Sequence, residues 1–293
     1  MEVLIAQIIN GLSLGSIYVL LVTGFNLLLL VAMIIHFSFP AVIVFSMYIA
    51  WLAMQITGSI IAGASAAVVS AIIVNMISAF VFQHIMGRRG SVDINATMIA
   101  SMGMGMLITE FCSHSINKGF PVSFLRIARI REPVWQRGLI SVSYGQVLAF
   151  AAGIAAAAVL FRILYSTKPG RAFRAVAEDP DGAKLAGIPV FKTALQSYML
   201  TGILGGVSAL LMALLLGSAS PDLGDLLSHK VLGVSIIAGL GNLAGGLIIA
   251  LLLGIAEAVI QGFFSGSWSN AVVFVIMLAV VLIKPRGIFG AKL

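Results

Sequence analysis

Two short patterns in this chain match motifs that carry out chemistry in other proteins. Residues 11–15, GLSLG, have the spacing of a hydrolase nucleophile, but that serine needs a strand-to-helix turn and here it lies inside an apolar run. Residues 239–244, GLGNLA, have the spacing of a dinucleotide-binding turn, but no βαβ unit accompanies them. We interpret the small residues of both patterns as positions where helices pack closely or bend.

Metal and redox chemistry have little support. The four histidines, at 36, 84, 114 and 229, fall on separate segments without the spacing of a zinc site. Cys112 is the single cysteine, so the chain can form no internal disulfide. We therefore expect neither a metal nor another cofactor.

Polar side chains inside apolar runs are the remaining candidates for a functional site, because burying them in a bilayer is costly. They are Asn26, His36, Glu110, Asn242, Glu257 and Gln261. For the amides, an interhelical hydrogen bond worth roughly 1 kcal/mol is as good an explanation as a place on a solute pathway. For Glu110 and Glu257 we favour a carboxylate that faces a wet cavity, where it contacts a solute ammonium or holds a gate. The alternative is a carboxylate that reaches water at the membrane interface.

The composition is that of a membrane protein. Apolar residues make up 60% of the chain, charged residues 9%, and the mean hydropathy is +1.13. A soluble domain is roughly half apolar and a quarter charged. The formal charge of +7 sits at segment ends and in loops, which indicates membrane topology and not nucleic-acid binding.

The apolar runs predict an all-α fold, a polytopic bundle of eight or nine transmembrane helices in one domain over residues 1–293. The runs are 6–31, 39–57, 59–86, 94–116, 139–165, 191–216, 229–246, 247–265 and 268–283.

Basic residues in the short loops predict the orientation, because cytoplasmic loops are enriched in them. They cluster after the third run, between the fifth and sixth, and in the tail, which puts those places inside and the N-terminus outside. By the same parity the loop 117–138 is an outer loop, although it contains Lys118, Arg126, Arg129, Arg131 and Arg137. A basic outer loop could dock an acidic partner.

Residues 166–190, the connector, are the one long charged and helix-prone stretch between two apolar runs. Such a segment is held at the water interface and is a place for a soluble partner to bind.

Long stretches of the chain resemble the permease subunits of branched-chain amino acid ATP-binding-cassette importers. They are NGLSLGSIYVLLVTGFNLLL near the start, TKPGRAFRAVAEDPDGAKLAGI in the connector, SHKVLGVSIIAGLGNLAGGLIIALLLGIAEAV, and the ending KPRGIFG. The resemblance implies that the connector is a cytoplasmic coupling helix docked on an ATPase. The matching positions are Arg171, Arg174, Ala175, Glu178, Asp179, Ala183, Leu185 and Gly187. A merely solvated loop is the alternative.

One stretch departs from the family pattern. Where related permeases have a sequence like INFAHG, residues 35–40 are IHFSFP. If this stretch borders the pathway, His36, Ser38 and Phe39 would help to select the solute, which could then be an amide, a urea-like solute or a small carboxylate.

The resemblance implies a multi-pass subunit of the bacterial inner membrane that is not itself an enzyme. Its partners would be a second permease subunit, two cytoplasmic ATP-binding subunits and an extracytoplasmic solute-binding protein. The alternatives are an ion-coupled secondary transporter or channel, which would need its own coupling carboxylates, and an intramembrane hydrolase, for which no nucleophile and base are evident.

Overall fold

The structure, a computed structural model, describes residues 2–89, 94–124, 132–137, 140–263, 266–284 and 287–290. In these ranges the helices are α1 Glu2–Ala32, α2 Phe39–Thr57, α3 Ile60–Arg89, α4 Ile94–Ser115, α5 Tyr144–Ser166, α6 Lys168–Glu178, α7 Pro180–Leu185, α8 Val190–Leu216, α9 Leu223–Ala238, α10 Leu243–Phe263 and α11 Gly266–Ile283. Asn117–Gly119 forms one 3-10 turn. Short strands β1 Val122–Ser123 and β4 Ser218–Ala219 pair antiparallel, as do β2 Pro133–Arg137 and β3 Ile140–Ser143.

The all-α membrane fold is confirmed. Seven helices in the described ranges are long and apolar enough to cross a membrane, namely α1, α2, α3, α4, α5, α8 and α10. Two more are shorter: α9 has 16 residues, and the apolar part of α11 covers Asn270–Ile283. The expected count of eight or nine is therefore approximate.

The boundary between the last long runs is not where the sequence suggested. We expected it between residues 246 and 247, but α9 starts at Leu223 and the chain breaks at 239–242. Gly239 and Gly241 adopt φ values of 95° and 82° there, a backbone conformation that favours glycine. The GLGNLA sequence therefore ends one helix and leads into the next.

The start of the fifth run also differs from the prediction. Residues 140–143 form β3, which pairs antiparallel with β2, and α5 begins at Tyr144. A capping box fixes this start: the Gln146 amide donates to Ser143 Oγ at 3.2 Å, and the Ser143 amide donates to Gln146 Oε1 at 2.7 Å. Local capping therefore starts the helix later than hydropathy alone would.

Helix α1 lies at the centre of the bundle. It runs antiparallel to α10 at very close range, since a Cβ on Gly254 would lie 2.3 Å from Gly15 Cα. It runs parallel to α5, where Ser13 Oγ donates to the Gln146 carbonyl at 3.1 Å and Ser16 Oγ to the Ala149 carbonyl at 3.0 Å. The interpretation of residues 11–15 as a close-packing surface is confirmed.

The two ends of the bundle can be told apart from the contacts. Helices α3 and α8 are antiparallel, with Gly202 against Ile72 and Gly206 against Val68. The start of α3 therefore lies beside the end of α8, away from the connector. The β1–β4 pairing places the described start of the 117–138 loop at that same far end. Arg126, Arg129 and Arg131 lie outside the described residues.

Candidate functional site

An ion pair is buried between three helices. Lys230 Nζ, from α9, lies 2.5 Å from Glu257 Oε1 of α10, and the two side chains are 3% and 4% exposed. Tyr18 of α1 completes the group, because its hydroxyl donates to Glu257 Oε2 at 2.8 Å and accepts from Lys230 Nζ at 3.2 Å. Gln261 Nε2, one turn along α10, donates to Glu257 Oε1 at 3.2 Å.

The sequence identified two members of this group as candidates, Glu257 and Gln261. Lys230 was missed because we placed it at the edge of a run starting at residue 229, whereas α9 starts at Leu223 and carries it inside the bundle. The signal was present, since a lysine within an apolar helix requires a carboxylate partner. Tyr18 gave no signal of its own among the apolar residues of α1.

The ion pair opens onto a cavity of about 420 Å³, which we call the ion-pair cavity. Tyr18, Lys230 and Glu257 form its polar side, and the last two carry the charges. Its apolar wall is Leu14, Met212, Leu215, Leu223, Leu226 and Leu227, and amides line it at Gln7, Asn10 and Gln146. Gln7 and Asn10 lie about two to three helical turns nearer the start of α1 than Tyr18 does. The cavity thus runs from neutral amides at the end far from the connector to a buried ion pair.

The connector folds as two short helices, α6 and α7. Thr167 caps α6 by accepting from the Gly170 amide at 3.2 Å, and Asp179 caps α7 by accepting from the Asp181 amide at 3.0 Å. Helix α6 buries Gly170, Phe173 and Val176 against the bundle. Gly170 is required by close contact, because a Cβ there would lie 2.2 Å from the Ile163 carbonyl oxygen.

Most of the eight coupling candidates lie on the outer face of the connector. Those exposed are Arg171, Arg174, Glu178, Asp179, Leu185 and Gly187, and Ala175 is half-buried. Leu185 is 90% exposed and is the one large apolar side chain among these exposed candidates. Arg174 is anchored, since its Nη1 donates to the Leu164 carbonyl at 3.0 Å and its guanidinium lies 5.1 Å from the centre of the Tyr165 ring.

Ala183 is the exception. It is 5% exposed and packs into the chain's own core, so a bulky residue there would disturb the connector itself. Leu185 is the better position at which to probe a docking surface.

The connector touches the ends of several spans. A cavity of about 600 Å³ separates Pro180 and Lys184 of α7 from Val31 and Met33 at the end of α1. A second cavity, of about 380 Å³, lies between Glu178 of α6 and the α9–α10 break at Asn242. Helix α6 also contacts α1 directly, and α1 is one of the three helices that hold the ion pair.

His36, Ser38 and Phe39 lie at the junction between α1 and α2. All three are fully buried, and His36 Nδ1 lies 3.0 Å from Ser38 Oγ. The imidazole is enclosed by the rings of Phe39, Phe82 and Tyr198. The Phe39 ring fills a gap at glycines 24 and 205, in the middle of α1 and α8. The three residues line none of the cavities described above. Any effect of these residues on solute choice would therefore be indirect, through the packing of the α1–α2 junction.

The other pathway candidates are dispersed. Asn26 Oδ1 accepts from the Gly241 amide at 3.4 Å, and Asn242 accepts from the Gly245 amide at 2.8 Å while it donates to the Phe289 carbonyl at 2.9 Å. Both amides thus hold the α9–α10 break in place. Glu110 is 68% exposed on α4 and pairs with His114 one turn later at 3.1 Å. Of the polar candidates named from the sequence, Glu257 and Gln261 line the ion-pair cavity.

Comparison with known proteins gives matches over almost the whole chain. A family model described as branched-chain amino acid transport system / permease component matches residues 7–281. The high-affinity branched-chain amino acid transport system permease protein BraD of Pseudomonas aeruginosa is 26% identical over 97% of this chain and 95% of its own length. The corresponding protein LivH of Escherichia coli is 24% identical over 97% and 94%.

A solved structure shares the fold. PsaBC from Streptococcus pneumoniae in complex with Fab superposes with a TM-score of 0.51 at 15% identity, covering 94% of this chain and 91% of that chain. At this identity the likeness concerns the fold alone.

Proposed function

The chain belongs to the family of branched-chain amino acid transport system permease components, and on that premise we propose that it imports small aliphatic amino acids with energy supplied through its connector. It is a multi-pass permease subunit of an ATP-binding-cassette importer in the inner membrane. The family match over residues 7–281 favours this function over an ion-coupled transporter. The substrate class rests on the printed names of BraD and LivH, which match along nearly their whole lengths.

The observation that carries the proposed mechanism is the connector with its exposed face. We define the connector surface as the exposed residues Arg171, Glu178, Asp179, Leu185 and Gly187. It offers both charges and one protruding apolar side chain to a soluble partner, while Phe173 and Val176 anchor it to the bundle. A force applied here would reach the end of α1 through its direct contact with α6.

The importer would contain this chain, a second permease subunit, two cytoplasmic ATP-binding subunits and an extracytoplasmic solute-binding protein. Closure of the ATP-binding subunits would move the two connectors and switch the pathway between outward and inward access. This chain would hydrolyse no ATP. The solute-binding protein would dock at the end of the bundle far from the connector, where Lys118 lies.

The test uses the complete importer in proteoliposomes and the variant Leu185→Ser. Loss of a protruding apolar contact should weaken binding of the ATP-binding subunits, with about a tenfold or greater loss of affinity and of ATP-driven leucine uptake. Ile56→Ser is the matched control, because Ile56 is 76% exposed at the opposite end of the bundle. Equal uptake and equal co-purification of the ATP-binding subunits in both variants would refute coupling through the connector.

A further inference from the structure

Both charged groups of the ion pair line a cavity while their side chains are almost completely buried. We propose that the ion-pair cavity binds a small zwitterion with an aliphatic side chain, such as an α-amino acid. The solute carboxylate would contact Lys230 and its ammonium would contact Glu257. The inference rests on the proposed function, since it names a place on this chain where the imported solute binds.

Charge balance selects the class of ligand. Lys230 and Glu257 together carry no net charge, so the cavity is neutral when it is empty. A purely anionic or cationic solute would leave one uncompensated charge in a poorly solvated place, which is costly. A zwitterion replaces one ion pair with two and leaves no uncompensated charge. The site therefore favours solutes that carry both charges.

The hydrogen bonds leave room for this exchange. Lys230 Nζ has three N–H donors, and the described contacts use two of them, to Glu257 Oε1 and to the Tyr18 hydroxyl. A carboxylate can accept the third. On the other partner, Glu257 Oε2 accepts from Tyr18 alone among these groups, so that oxygen can also accept from an ammonium.

The rest of the cavity suits an aliphatic side chain. The apolar lining comes from leucines of α1, α8 and α9, including Leu14, Leu215 and Leu226. A volume of about 420 Å³ falls in the range typical of small-molecule sites. The amides at the far end, Gln7, Asn10 and Gln146, hydrogen-bond one another, so the entrance is polar without carrying a charge.

Protection of a cysteine from modification measures binding even when it is weak. The full chain carrying Leu226→Cys is placed in lipid nanodiscs without ATP-binding subunits and treated with a small maleimide. Native Cys112 is buried and should react little. Leucine at millimolar concentration should slow labelling, whereas 4-methylpentanoate and isopentylamine, which carry only one of the two charges, should need about tenfold higher concentrations. Equal protection by all three compounds, or no protection by leucine, would overturn the inference.

Substitutions of the ion pair separate binding from folding. Lys230→Arg keeps both charges and should retain protection by leucine, while the double variant Lys230→Met with Glu257→Gln should lose it. Asp225→Asn serves as the control, because Asp225 is an exposed carboxylate on the same helix that does not line the cavity. The thermal midpoint of each variant shows whether it is folded. Protection that persists in a folded double variant would also refute the site.

The two proposals fail in different ways. If leucine is taken up in an ATP-dependent manner but does not protect position 226, the binding site is wrong and the transport function stands. If leucine protects position 226 but the complete importer does not transport it, the proposed function is wrong and the site stands.

Discussion

At the scale of residues, the buried ion pair dominates the physical chemistry of this chain. Breaking a buried pair by removing one partner leaves an uncompensated charge and costs about 3–5 kcal/mol, whereas replacing both partners with neutral groups is often tolerated. Tyr18 adds hydrogen bonds to both partners, so three helices depend on one cluster. The cluster therefore ties α1, α9 and α10 together.

A double-mutant cycle should reveal this coupling. We expect Lys230→Met and Glu257→Gln alone each to destabilise the protein by about 3–5 kcal/mol, and the double variant to cost less than the sum by at least about 1 kcal/mol. Thermal unfolding in detergent measures the three variants. Additive effects within error would mean that the two side chains do not interact as the 2.5 Å contact requires.

At the scale of elements, glycines set how closely the helices approach. The hydropathy of the sequence predicted most spans well, because a bilayer demands long apolar runs. It could not predict the break at 239–242, because the sequence GLGNLA is compatible both with a packing surface and with a turn. The φ values of Gly239 and Gly241, 95° and 82°, show that it is a turn. Nor could it pair Lys230 with Glu257, which are 27 residues apart on two helices whose boundaries depend on that break.

The α1–α10 contact gives a test at this scale. Gly254→Ala should destabilise the protein by about 1–3 kcal/mol, because the new Cβ would lie 2.3 Å from Gly15 Cα and backbone would have to move. Gly103→Ala is the matched control: its Cβ would meet nothing within 4 Å, and alanine favours the helix by up to about 1 kcal/mol. The thermal midpoints of the two variants, measured in the same detergent, test this prediction. A Gly254→Ala protein as stable as Gly103→Ala would contradict the close approach.

At the scale of the whole molecule, the connector and the amides of the ion-pair cavity lie toward opposite ends of the bundle. The connector borders the end of α1 and the α9–α10 break, and the amides of the cavity lie toward the start of α1. The arrangement allows ATP-driven movement at one end to change a solute site nearer the other. It requires that the two ends face opposite sides of the membrane.

Orientation can be measured with single cysteines at those ends. The described basic residues near the connector, including Lys168, Arg171 and Lys184, predict that this end is cytoplasmic. We expect Leu185→Cys to react with a membrane-impermeant maleimide only in inside-out vesicles, and Ile56→Cys only in right-side-out vesicles. Leu185 is 90% exposed on the charged connector, and Ile56 is 76% exposed in the last turn of α2. Labelling of both from one side would contradict an odd number of crossings between residues 56 and 185. Labelling of Leu185→Cys from outside would place the connector beyond the reach of any ATP-binding subunit, because those subunits act where ATP is, in the cytoplasm.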